Sequence, residues 1–136
     1  MRETVPVKYI LYADDDTDDQ EIMLELLPQI VPYITLVIKE NGLLLIDFLN
    51  NLREDEDAPV LIILDLNMPA CDGIETLSSI KNIRRFNLIP IIIFSTTDNE
   101  QDRNRALSAG AVAFVTKPSS FRELEVLIES FTTFFV

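Results

Sequence analysis

The sequence predicts an α/β fold: one domain over 1–136, a doubly wound five-stranded parallel sheet covered by five helices. Three observations carry this. Five short apolar runs alternate with amphipathic stretches along the chain. The runs are continuous rather than alternating, as strands buried on both faces require. A length of 136 residues fits one domain, and a 48% hydrophobic content is enough to bury a core, so disorder is not expected.

Tyr9 to Ala13 reads as the first strand, stopped by Asp14. A helix from Thr17 to about Leu27 follows, with Ile22, Met23, Leu26, Leu27 and Ile30 at helical spacing. Thr17 and Gln20 have capping-box spacing, and Pro28 leaves the end of this helix open. Ile34 to Ile38 is the second strand, and Leu45, Phe48, Leu49 and Leu52 stripe the second helix. The acidic run Glu54-Asp55-Glu56-Asp57 is expected as a solvated loop. Val60 to Leu64 is the third strand, stopped by Asp65, and a loop through Pro69 leads to a helix from about Gly73 to Ile83.

Ile91 to Phe94 is the fourth strand, stopped by Ser95. The fourth helix, about Asn99 to Ala109, has a thin apolar face of Ala106, Leu107 and Ala109. Thr97 and Glu100 have capping-box spacing at its start, and Gly110 is a natural C-cap. Ala113 to Thr116 is the fifth strand, stopped by Lys117-Pro118. The last helix starts near Ser120, with Glu123 three residues on. Leu124, Leu127, Ile128, Phe131 and Phe135 share one side of it, which leaves Phe134 and Val136 apolar and expected to be exposed.

Composition narrows the chemistry. Asp plus Glu number 23 against 11 Lys plus Arg, a net charge of -12, which disfavours direct contact with nucleic acid or an anionic membrane. Histidine is absent, so imidazole general-base catalysis and His-based zinc sites are excluded. The lone cysteine, Cys71, allows no internal disulfide and no metal cluster. The stretch from Val5 to Ala13 is interrupted by Lys8, and no apolar run reaches the roughly 18 residues of a membrane span. A reducing cytoplasm is the expected compartment.

In an open doubly wound sheet the site lies beyond the carboxyl ends of the strands. Asp14, Asp15 and Asp16 follow the first strand, Asp65 the third, Ser95 and Thr96 the fourth, and Lys117 the fifth. If the strand order is 2-1-3-4-5, Asp14 and Asp15 face Asp65. Converging carboxylates either rise in pKa or are neutralised by a cation, and a few hard oxygen ligands suit Mg2+. A hydroxyl and an ammonium nearby suit phosphoryl oxygens, so the pattern fits a site that accepts or removes phosphate. Asp18 and Asp19 read instead as charges favoured by the helix N-terminus, and Thr17, Thr97 and Ser120 as caps only.

These residues resemble the receiver domains of two-component response regulators. The resemblance rests on Asp14-Asp15, on Asp65 within Leu64-Asp65-Leu66-Asn67-Met68-Pro69-Ala70-Cys71-Asp72-Gly73, on Ser95, and on Lys117-Pro118. It spans about residues 8–131 and implies the flavodoxin-like order 2-1-3-4-5. It further implies that Asp65 takes a phosphoryl group from the histidine of a sensor kinase. Asp15, Asp65 and the main-chain carbonyl of Asn67 would bind Mg2+, with Asp14 acting through a water or directly. Lys117 and Ser95 would contact the phosphoryl oxygens. Phe114 stands at the family's switch aromatic and would turn inward as Ser95 moves; the Lys117-Pro118 bond would be cis. The protein would not be an enzyme beyond its own phosphorylation and dephosphorylation. It looks like a stand-alone receiver of chemotaxis type with no output domain, most similar to the small receivers partnered with bacterial phytochrome kinases. Such a regulator would signal by contact with a downstream target or phosphotransfer protein, or as a homodimer through the face of the fourth helix, fifth strand and fifth helix.

Other readings meet specific obstacles. A phosphohydrolase of the haloacid dehalogenase type needs its threonine one place later than Thr17. A flavin binder would set phosphate against three aspartates. An EF-hand starting at Asp14 needs glycine where Asp19 stands.

Overall fold

The computed structural model describes residues 8–135, so the expectation for Val136 and the start of the Val5–Ala13 stretch lie outside the described residues. The strands are β1 (Tyr9–Ala13), β2 (Thr35–Lys39), β3 (Leu61–Asp65), β4 (Ile91–Ser95) and β5 (Ala113–Thr116). The helices are α1 (Thr17–Ile30), α2 (Gly42–Asn50), α3 (Gly73–Lys81), α4 (Glu100–Ser108) and α5 (Phe121–Phe131), with a 3-10 turn over Thr132–Phe134. The five strands form one parallel sheet in the order β2-β1-β3-β4-β5. Among the described residues, no helix is long and apolar enough to cross a membrane.

Each central strand feeds two cores. Tyr9, Leu11 and Ala13 of β1, with Ile62 and Leu64 of β3, pack against Leu45, Leu49, Leu77 and Ile80 of α2 and α3. Ile10 and Tyr12, with Leu61 and Ile63, pack against Met23 and Leu27 of α1 and Ile128 and Phe131 of α5. Both faces need apolar side chains, so alternation is absent and the strands read as continuous runs.

Several local expectations change. Asp16, not Thr17, caps α1, accepting from the N–H groups of Asp18 (2.9 Å) and Asp19 (3.2 Å). That frees Gln20 to donate to the main-chain carbonyl of Asp14. Helix α1 runs through Pro28 to Ile30; proline there forfeits only one backbone donor. Asn99, not Thr97, caps α4 by accepting from Asp102 N–H at 3.1 Å. Ser120 caps α5 as expected, and Gly110, at φ 110°, takes the left-handed position after α4. The Lys117–Pro118 bond is trans, since no cis bond occurs among the described residues; trans is the lower-energy isomer of an X-Pro bond.

In the acidic loop Glu54, Asp55 and Asp57 are solvated as expected, but Glu56, 11% exposed at its side chain, turns in to accept from the Arg53 N–H at 2.8 Å, and the loop is tied at its backbone. Arg85 donates to the carbonyls of Leu52, Arg53 and Glu56, and the Tyr9 hydroxyl donates to the carbonyl of Asp57. At the other end of the chain the 3-10 turn folds Phe134 onto the core shared by α1 and α5, alongside Phe135. Phe134 is therefore half-buried, not exposed.

Candidate functional site

Parallel register brings the strand ends to one edge of the sheet. Ala13 pairs with Leu64, so Asp14 lies beside Asp65; Asp65 pairs with Phe94, and Ser95 with Thr116, so Lys117 closes the row. Asp14, Asp65 and Ser95 are buried. The loop after Asp65 returns tightly: a Cβ at Gly73 would stand 2.5 Å from the Asp65 carbonyl oxygen, so only glycine lets α3 start against the site.

Asp14 is fully engaged by the protein. Its Oδ2 accepts from the Tyr12 hydroxyl at 2.5 Å and from Lys117 Nζ at 3.1 Å, and its Oδ1 accepts from Asp16 N–H at 2.9 Å. Burial, reinforced by the charge of Asp14, holds the Tyr12 hydroxyl far above its ordinary pKa, so it stays a donor. Lys117 also bonds Asp19 Oδ2 at 2.8 Å. Burial opposes its charge, but the hydrogen bond to Asp19 and the charges of Asp14 and Asp65 outweigh that and raise its pKa.

Asp65 is held differently. Its Oδ1 is buried without a hydrogen-bond partner, and Lys117 Nζ stands 3.5 Å away, an ion pair without hydrogen-bond geometry. Desolvation pushes the carboxyl up to about 6; Lys117 opposes this, Asp14 adds to it, and the Asn67 N–H opposes it. Carboxylate oxygens of Asp14, Asp15 and Asp65 lie within 4.8 Å of one another, with Asp15 exposed. An orphaned carboxylate oxygen beside two more acids fits a hard divalent cation, and with Asp14 already engaged, Asp15 and Asp65 are the groups left to hold one.

The remaining predicted residues stand further out. Ser95 turns to Thr97, accepting from its N–H at 3.1 Å, with the two hydroxyl oxygens 3.4 Å apart. Phe114 is already inward, at 5% exposure, contrary to an aromatic waiting outside. Arg103 covers its ring at 5.1 Å, donates to the Phe114 carbonyl at 3.3 Å and pairs with Asp98 at 2.6 Å. A buried phenyl ring needs no partner for a hydroxyl, which explains the inward position.

Three contributors were not foreseen: Tyr12, Asp19 and Arg103. Tyr12 had a signal, because strand residues two apart share a face and a buried tyrosine needs a partner. Asp19 had none beyond its place in the first turn of a helix that begins at the site.

The sequence profile of the response regulator receiver domain matches residues 10–129. Response regulator Rcp1 of Synechocystis is 30% identical over 136 residues, covering 98% of this chain and 92% of that protein. The crystal structure of the phosphorylated cyanobacterial phytochrome response regulator RcpA superposes with a TM-score of 0.83 at 26% identity, over 96% of this chain and 94% of that one. The Mn(2+)-bound form of Rcp1 gives a TM-score of 0.80 at 29% identity, over 93% of each chain. Since the match runs from within the first strand into the last helix, the chain belongs to the response regulator receiver domain family.

Proposed function

We propose that the protein accepts a phosphoryl group on Asp65 from a sensor histidine kinase and signals by a change of shape that a partner protein reads. The observation that carries this is the orphaned Oδ1 of Asp65, buried between an acidic cluster and Lys117. A carboxylate oxygen of Asp65 attacks phosphorus; the P–N bond to the kinase imidazole breaks, and the imidazole leaves with that electron pair and takes up a proton. Asp65 then carries a mixed anhydride. With a pKa near 6, it is mostly ionised, and so nucleophilic, at neutral pH.

Asp15, Asp65 and the main-chain carbonyl of Asn67 would hold Mg2+, with Asp14 outside or at its edge. When bound, the ion offsets negative charge on the phosphoryl oxygens. Lys117, 3.5 Å from Asp65, would add a second positive charge beside those oxygens, and Ser95 would turn from Thr97 to bond one of them. Two relatives support the reading, one described as phosphorylated and one as Mn(2+)-bound. The protein catalyses only its own phosphorylation and dephosphorylation. The half-exposed Leu107 and Val112 support contact through the face of α4, β5 and α5, with a downstream target, a phosphotransfer protein or a second copy. The net charge of -12 keeps nucleic acid and anionic lipid away, and the cytoplasm is the compartment proposed.

Intact mass after incubation with acetyl phosphate and Mg2+ tests this. Wild type is expected to gain one phosphate and Asp65→Asn none. An Asp65→Asn variant labelled with the same kinetics would show that another residue is the acceptor.

A further inference from the structure

We propose that Asp19 is a positioning residue that restrains Lys117 in the unphosphorylated protein, so that a phosphoryl group on Asp65 must draw the ammonium away from it. The inference rests on the phosphoacceptor reading and adds Asp19, which is not among the motif residues that carry the resemblance.

Lys117 Nζ lies 2.8 Å from Asp19, 3.1 Å from Asp14 and 3.5 Å from Asp65. Only the first two contacts have hydrogen-bond geometry, and Asp65 Oδ1 is left without a donor. The ammonium thus leans toward α1 and away from the acceptor. It leans into a cavity of about 60 Å³ whose apolar walls include Ile22, Met23, Phe94, Pro118 and Leu124. Low-dielectric walls strengthen a charge pair at their edge. Asp14 offers no slack of its own, because Tyr12 and the Asp16 N–H fix both of its oxygens. Asp19 is the movable member: it is one-third exposed at its side chain and sits in the first turn of α1. A phosphoryl group adds about two negative charges and strong acceptors next to Lys117, so it competes with Asp19 directly.

Asp18 provides the control. It carries the same charge one residue earlier in the same turn, and it is exposed. The affinity of the Mg2+-loaded protein for beryllofluoride is measured by titration calorimetry for wild type, Asp19→Asn and Asp18→Asn, and melting is followed in EDTA. Asp19→Asn is expected to tighten beryllofluoride binding by about fivefold, the upper range for a partly exposed pair. Asp18→Asn is expected to change it by less than about twofold, through screened charge alone. In EDTA, Asp19→Asn is expected to melt below Asp18→Asn, because only the former loses a contact with Lys117. Equal affinities or equal melting in the two variants would overturn the restraint. Weaker binding by Asp19→Asn would overturn it too, since Asp19 would then be presenting the lysine. A wild type that binds no beryllofluoride would overturn the phosphoacceptor reading and the restraint with it.

Discussion

The two flanks of the site are held by different forces. On the α1 side, Met23 and Leu27 are buried against Ile128 and Phe131 of α5, and the polar groups Asp14, Asp19, Tyr12 and Lys117 bond one another above that core. On the α4 side, Ala106 is the one buried residue of the helix, and Leu107 is 45% exposed. What fastens α4 is polar: Arg103 reaching Asp98 and the Phe114 carbonyl, and the Asn99 cap. The difference teaches where a charge placed on Asp65 can do mechanical work. The apolar flank resists, and the flank tied by exposed polar contacts gives way, because local stability follows buried apolar contact.

The largest expected effect breaks the comparison at its base. Leu27→Ala on the apolar flank is predicted to cost about 3 kcal/mol of unfolding free energy. Leu107→Ala on α4 is predicted to cost under about 1 kcal/mol. Urea titration checks both; similar costs would mean that the two flanks are equally anchored.

The next effect belongs to the acceptor between the flanks. The folded pKa of Asp65, about 6, lies above its ordinary 3.8, so its charge costs stability. That cost is absent below about pH 4 and is complete once pH has risen through about 6. In EDTA, Asp65→Asn is therefore predicted to gain on wild type between pH 4 and pH 7, by about 2 kcal/mol. Thermal melts across that range check it. A gain that shrinks as pH rises would contradict the cause assigned to the shift, and added Mg2+ is expected to narrow the gap at pH 7 by favouring wild type.

The fold was legible because the central strands β1, β3 and β4 are buried on both faces and so are written as uninterrupted apolar runs. The acidic pair, Asp65, Ser95 and Lys117 were legible because each directly ends or follows a strand, and a parallel sheet puts all those ends on one edge. What was not legible depends on side-chain direction. Thr17 and Thr97 have the right spacing to cap, but Asp16 and Asn99 stand where the backbone turns and accept the N–H groups instead. Asp19 looks like any first-turn acid until the fold brings Lys117, 98 residues away, within 2.8 Å. Phe114 was expected to wait outside because its sequence position carries no record of Arg103 lying over its ring. Phe134 was expected to be exposed because a 3-10 turn after α5 leaves no periodic mark.

Hydrogen exchange mapped along the chain, with and without beryllofluoride and Mg2+, in wild type and in Asp65→Asn, tests the central claim most directly. In wild type the change is predicted to concentrate between Ser95 and Ala109 and to leave Thr17–Ile30 nearly unaltered, and Asp65→Asn is predicted to change in neither segment. An unchanged Ser95–Ala109 segment in wild type, or an equal response in Asp65→Asn, would contradict it.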